Sequence, residues 1–373
     1  MDFLPDSLRT ILAFVVVLGV LVFIHELGHY LAARWRGVHV ERFAVGFGRS
    51  IASWTDRRGT EWRVGWIPLG GYVKLHGQET PADAPPEVRA TWRPGETFHD
   101  KPVRDRAIVV AAGPVANFLL AALLFGALYA TVGRPVPPPQ DQVVIGQVTE
   151  GSAAARAGFL PGDRIVTLDG EPVTRFEQVQ RHVQPRAGQP VRIEIEREGR
   201  PRTLTVTPDA RQTAERTVGV LGIGTGTTVK ERLDPFSALW AGTVQTANIS
   251  WQTLAAVGQM ITGQRGTEDL GGPLGIGKIA GDAARLGIEA FIVFMAVLSV
   301  NLALINLFPI PVLDGGHLLF YAAEAIRGRP LPPRAQEYGF RAGFALLITL
   351  FLFATWNDLT NLGVVRWATG LFG

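Results

Sequence analysis

A set of long apolar runs, one of them broken by two histidines and a glutamate, restricts this fold more than any other feature. Ile11 to Ile24 carries no charge, and His25-Glu26-Leu27-Gly28-His29 follows before apolar residues resume as far as Ala33. Further runs cover Ile108 to Val132, with Gly113, Pro114 and Asn117 early in it, and Ala290 to Phe308, stopped by Pro309. Another begins near Ala342 and reaches Trp356. A bilayer-spanning helix takes about 20 mostly apolar residues. The runs therefore predict a polytopic α-helical membrane protein with four transmembrane helices, in segments 1–34, 107–132, 288–327 and 341–365. Only 18% of residues are charged, against roughly 25% in soluble domains. The net charge of +3 is too small and too dispersed for a nucleic-acid partner. The chain has no cysteine, which excludes disulfides, thiol catalysis and Cys-ligated metal. Asp2 and Asp6 precede Arg9, so the first run lacks the basic start of a signal peptide and is read as retained.

Basic residues orient the helices. Arg34, Arg36, Arg42, Arg49, Lys101, Arg104 and Arg106 lie between the first and second runs, and Arg327, Arg329, Arg334 and Arg341 between the third and fourth. Only Arg134 precedes the Pro-rich stretch Pro135 to Pro139 after the second run. The first and third loops are thus expected in the cytoplasm, and the N-terminus and the insert from Gly133 to Glu289 outside. Within the insert, 141–210 reads as an α+β module of short strands, two helices and Gly/Pro/Asp turns. Its run Ala157-Gly158-Phe159-Leu160-Pro161-Gly162-Asp163-Arg164-Ile165 resembles the motif of PDZ domains, which take extended peptides by strand addition.

His25-Glu26-Leu27-Gly28-His29 is an H-E-x-x-H motif. Residues four apart share a helix face, so both imidazoles can reach one zinc ion, with Glu26 beside it as a base. Ionisable groups inside an apolar helix are expensive to bury and point to function. Two histidines leave a catalytic zinc short of a protein ligand. Position 35 is Trp35, which excludes a third histidine at metzincin spacing. Asp314 is the leading candidate, with His317 as a rival. It ends Asn306-Leu307-Phe308-Pro309-Ile310-Pro311-Val312-Leu313-Asp314, where prolines prevent a regular helix, and Gly315-Gly316 follow. Irregular backbone at membrane depth belongs where it lines a wet cavity. For Asp314 to meet His25 and His29, the first and third spans must run the same way. Pro235 to Gln264 carries no charge and contains Thr, Gln, Asn and Ser; the segment 234–264 is therefore expected to lie as an interfacial amphipathic helix, since a further span would separate the ligands by about 30 Å.

These motifs together resemble the site-2 protease family of intramembrane zinc metalloproteases. The resemblance spans nearly the whole chain and includes Gly46-Phe47-Gly48, Ile67-Pro68-Leu69-Gly70-Gly71-Tyr72-Val73-Lys74, Ala111-Ala112-Gly113-Pro114-Val115-Ala116-Asn117-Phe118 and Gly272-Pro273-Leu274-Gly275-Ile276. It implies one Zn2+ per chain held by His25, His29 and Asp314, Glu26 as general base and then acid, and Asn306 as a substrate or oxyanion contact. It implies a membrane-re-entrant β-loop around Gly46, Phe47 and Gly48 that holds substrate. The residues agree with strands there: Val40 to Trp54 and Trp62 to Leu75 read as glycine-punctuated strands within the cytoplasmic segment 35–106. The implied function is cleavage of transmembrane segments in single-pass proteins, of the anti-sigma-factor or remnant-signal-peptide kind, in a bacterial inner membrane. The active site would lie in the cytoplasmic half of the bilayer. One PDZ module is found where well-known members carry two. The competing readings are a catalytically inactive PDZ-bearing scaffold and a zinc transporter.

Overall fold

The computed structural model describes residues 6–78, 84–136, 142–212, 217–225, 229–266 and 271–361. Several predicted segment ends lie outside the described residues: 1–5 and 362–365 of the first and fourth helices, Pro137–Pro139 of the Pro-rich stretch, and residue 141 of the insert module. The chain divides into two compact units, one of residues 1–128 with 235–373, the other Tyr129–Asp234.

The first unit opens with α1 (Asp6–Trp35). Ala13, Val17, Leu21 and His25, four residues apart, form its buried stripe, while Ile11, Leu12 and Val16 stay exposed. β1 (Val40–Thr55) and β2 (Glu61–Leu75) form a β-ribbon that folds back on itself: Thr55 lies opposite Glu61, and Arg42 to Val45 are flanked by Gly71 to Lys74 on one side and by Glu61 to Val64 on the other. Asp56 closes its turn by accepting from the backbone N–H of Arg58 and Thr60 and from Trp62 Nε1. The base of the hairpin is buried: Val40 and Phe43 pack with Tyr30 and Ala33 of α1 and with Leu75 and Phe98. Ile51, Trp54 and Trp66 are exposed. Short α2 (Pro86–Ala90) leads to α3 (Val103–Thr131), which contains Pro114.

The second unit holds β3 (Arg134–Val136), β4 (Val143–Val148), α4 (Ala153–Arg156), β5 (Arg164–Leu168), β6 (Glu171–Pro172), α5 (Phe176–Val183), β7 (Val191–Arg197), β8 (Arg200–Val206), β9 (Asp209–Gln212), β10 (Thr217–Val220), β11 (Ile223–Thr225) and β12 (Val229–Glu231). The main sheet runs β11-β4-β5-β7-β8, with β6 beside β5. Val191, Ile193 and Ile195 alternate inward and meet Ile145, Ile165, Phe159 and Val179 in one core. Asp163, from the PDZ-like run, is fully buried. Arg197 binds it through Nε–Oδ1 at 2.6 Å and Nη2–Oδ2 at 2.8 Å, and the Leu160 N–H donates to it at 2.9 Å. Burial works to raise the Asp163 pKa, but the guanidinium and the backbone N–H outweigh it and hold the carboxyl below its ordinary value.

The chain returns to the first unit through α6 (Pro235–Ile261), α7 (Pro273–Leu286), α8 (Ile288–Leu307), α9 (Asp314–Arg327) and α10 (Pro333–Asn361). Among the described residues, α1, α3, α8 and α10 are the helices long and apolar enough to cross a membrane. Val17 and Leu21 of α1 cluster with Phe291, Met295 and Leu298 of α8, and Asp314, just beyond the C-terminal end of α8, reaches His25 and His29 further along α1, so these two run the same way. The sequence reading puts α6 at the membrane surface. Ala238, Gly242 and Thr246 form its buried stripe, with Ala238 against Gly126 of α3 and Gly242 against Ala122 and Gly126. Further along, Ile249 packs with Val300 and Leu304 of α8, and Thr253 donates to Asn301 at 3.1 Å. α6 thus runs antiparallel to α3. α7 runs back along α1, with Gly277 beside Phe14 and Gly281 beside Thr10.

Candidate metal centre

Three elements of the first unit meet at one point. His25 and His29 lie one turn apart on α1. Asp314 is the first residue of α9, after the irregular turn that ends α8. That turn needs its small residue: a Cβ on Gly315 would stand 2.3 Å from the carbonyl oxygens of Leu307 and Phe308. Val312 has φ +100°, a conformation that β-branched residues rarely adopt, and strain of this kind gathers at functional sites.

The donor atoms form a nearly equilateral triangle. His25 Nε2 to His29 Nε2 is 3.2 Å, His25 Nε2 to Asp314 Oδ2 is 3.2 Å, and His29 Nε2 to Asp314 Oδ2 is 3.4 Å. Ligands about 2.0–2.1 Å from a tetrahedral zinc stand roughly 3.3–3.4 Å from one another. The protonation pattern fits as well. His29 Nδ1 faces the Val109 carbonyl at 2.9 Å, so it carries the proton and donates it, and Nε2 is left as a lone pair. Asp314 Oδ2 is buried and has no hydrogen-bond partner. Lone pairs converging on one buried point repel unless a cation lies between them, so the residues present fit a divalent metal such as zinc. Among the described residues, His25, His29 and Asp314 are the group of at least three potential ligands able to hold a metal.

The triangle opens into a cavity of about 900 Å³. Glu26 lines it beside the triangle, and β2 comes so close that a Cβ on Gly71 would stand 3.0 Å from Glu26 Cγ. The hairpin therefore reaches the reacting group directly. Tyr72 and Val73 border the same space. Asn306 also lines it, with Nδ2 donating to the Leu302 carbonyl at 3.0 Å. His317, the rival ligand, lines the cavity but stands among rings, 5.4 Å from Phe340 and 6.5 Å from Tyr321. The structure does not bring Gly46, Phe47 and Gly48 to the cavity wall; the Phe47 ring stacks on Tyr72 at 6.3 Å and so sits behind that wall. Sequence reasoning missed the part played by α3. A Cβ on Gly113 would lie 2.3 Å from His29 Nε2, so only glycine admits the ring there. The signal was available, because Gly113-Pro114 inside an apolar helix is costly unless something packs against the gap.

The family model for peptidase family M50 matches residues 13–350. The chain belongs to peptidase family M50. Membership in this family, the site-2 proteases, makes the chain a metalloendopeptidase. It is 43% identical over 373 residues to a Rhizobium meliloti protein named "Putative zinc metalloprotease R01501", covering 96% of this chain and 99% of that one. It is 39% identical to metalloprotease MmpA of Caulobacter vibrioides, covering 95% of this chain and 96% of that one. It is 33% identical to the regulator of sigma-E protease RseP of Salmonella typhimurium, covering 94% and 98%. Among solved structures, the PDZ domain of an SdrC-like protein from Listeria monocytogenes matches 24% of this chain and 93% of that one, at 21% identity and a TM-score of 0.21.

Proposed function

We propose that this family M50 peptidase is an intramembrane zinc endopeptidase that cuts single-pass proteins within or beside their transmembrane helices. The observation that carries the reading is the placement of a base and three converging lone pairs in one cavity, built on helices apolar enough to cross a membrane. His25, His29 and Asp314 would hold zinc, which supplies Lewis-acid polarisation and a more acidic water. Glu26 accepts the proton of the attacking water as the oxygen adds to the peptide carbonyl. It then gives that proton to the amine as the C–N bond breaks.

A helical substrate hides its carbonyls, so it must unwind before attack. The β1–β2 hairpin offers an open strand edge next to the cavity, and an unwound segment can be held there as an added strand. The exposed Ile51, Trp54 and Trp66 give the sheet apolar surface suited to lipid. Gly46, Phe47 and Gly48 would act through Tyr72, by shaping this edge, and Asn306 by contacting substrate in the cavity. The insert is read as a PDZ module outside the cytoplasm of a bacterial inner-membrane protein, on the basic-residue asymmetry of the loops and the run Ala157 to Ile165. The scaffold alternative has no use for Glu26 beside the ligands.

The test is to incubate purified protein in detergent with a tagged single-pass substrate and map the products by mass. Cleavage inside the transmembrane segment, abolished by a zinc chelator and restored by zinc, is expected. Cleavage confined to the soluble part of the substrate, or unaffected by chelation, would overturn the reading.

A further inference from the structure

Asn117, on α3, has no role in the account so far, yet it is fully buried against a metal ligand. Its Nδ2 lies 3.3 Å from His25 Nδ1, and its Oδ1 is buried without a partner. Turning a carboxamide by 180° exchanges these two atoms in place. The two settings have opposite consequences for His25. With the nitrogen inward, Nδ2–H donates to Nδ1, the imidazole carries its proton on Nε2, and it has no lone pair for the metal. With the oxygen inward, Nδ1–H donates to Oδ1, and the Nε2 lone pair faces His29 and Asp314. His29 already follows the second pattern through the Val109 carbonyl on the same helix. The backbone of Asn117 is itself fixed, because Ser299 Oγ of α8 donates to its carbonyl at 2.8 Å.

We propose that Asn117 is a positioning residue for the metal centre: its Oδ1 accepts the His25 Nδ1 proton and so selects the tautomer that ligates. α3 then supplies the acceptor behind each histidine, a backbone carbonyl for His29 and a side chain for His25. Partners of this kind orient the ring and raise its basicity, and their loss lowers metal affinity by about 10- to 100-fold.

The inference rests on zinc being held by His25, His29 and Asp314, so the experiment includes His25→Ala. Zinc affinity of the full-length detergent-solubilised protein is measured by competition with a chromophoric chelator. The visible absorption of the cobalt-substituted protein reports ligand geometry. Asn117→Leu keeps the size and removes the acceptor; Asn117→Asp keeps the shape and offers only acceptors. Asn117→Leu is expected to weaken zinc binding by about 10- to 100-fold and alter the cobalt spectrum, whereas Asn117→Asp binds at least as tightly as wild type. Wild-type affinity in Asn117→Leu while His25→Ala loses zinc would overturn the proposal and leave the metal centre standing. Equal losses in Asn117→Leu and Asn117→Asp would also overturn it, because an acceptor would not be what His25 needs. Zinc retained in His25→Ala would overturn the metal-centre reading and this inference together.

Discussion

At the scale of single residues, the site is a matter of which atoms face one point. His25 and His29 are legible in the sequence because a four-residue spacing on a helix leaves no other arrangement, and the structure sets their Nε2 atoms 3.2 Å apart. Asp314 is legible from chemistry, as a carboxylate in a Pro- and Gly-broken turn beside an apolar run, and its Oδ2 completes the triangle. The supports behind the histidines are not legible in this way. A backbone carbonyl such as that of Val109 leaves no mark on a sequence, and Gly113 shows only that something approaches closely. Gly113→Ala would drive a methyl group into the His29 ring, since its Cβ would stand 2.3 Å from Nε2. Zinc retained after dialysis is expected to fall, with affinity lowered by about 10-fold or more. Retention equal to wild type would mean that the ring can move aside without losing the ligand.

At the scale of elements, apolar length was enough to recognise the helices, and alternation with glycine punctuation marked the hairpin strands. Packing was harder to read. The small residues of α6 are an example: Gly242 fits against Ala122 and Gly126 of α3, a relation set by the partner helix rather than by α6 composition. In the insert, Asp163 gives a test with a definite sign. Its pKa is lower in the folded unit than in the unfolded chain, where a carboxyl titrates near 3.9. Its contribution is therefore complete above that value and lost as pH falls through the depressed folded value. Hydrogen exchange of the insert, measured in the full chain, is expected to show protection that holds at neutral pH and declines in acid. Asp163→Asn leaves Arg197 facing a neutral group and should cost about 3 kcal/mol at neutral pH, while flattening that acid decline. An unchanged profile would show that the pair does not stabilise the insert.

At the scale of the whole molecule, the account requires one orientation. The absence of cysteine makes it simple to test, because any introduced cysteine is the sole target for a thiol reagent. In intact spheroplasts, Gln189→Cys on the insert is expected to react with a membrane-impermeant maleimide, and Arg329→Cys between α9 and α10 only after lysis. The reverse pattern would invert the topology inferred from the basic loops. The central claim is that Glu26 moves the proton at a zinc centre held by His25, His29 and Asp314. The most direct measurement pairs wild type with Glu26→Gln: bound zinc is quantified in both, and both are given the same tagged single-pass substrate. Near-stoichiometric zinc in both is predicted, with cleavage in the variant lower by about 100-fold or more. Cleavage by Glu26→Gln at the wild-type rate, with zinc still bound, would contradict the account.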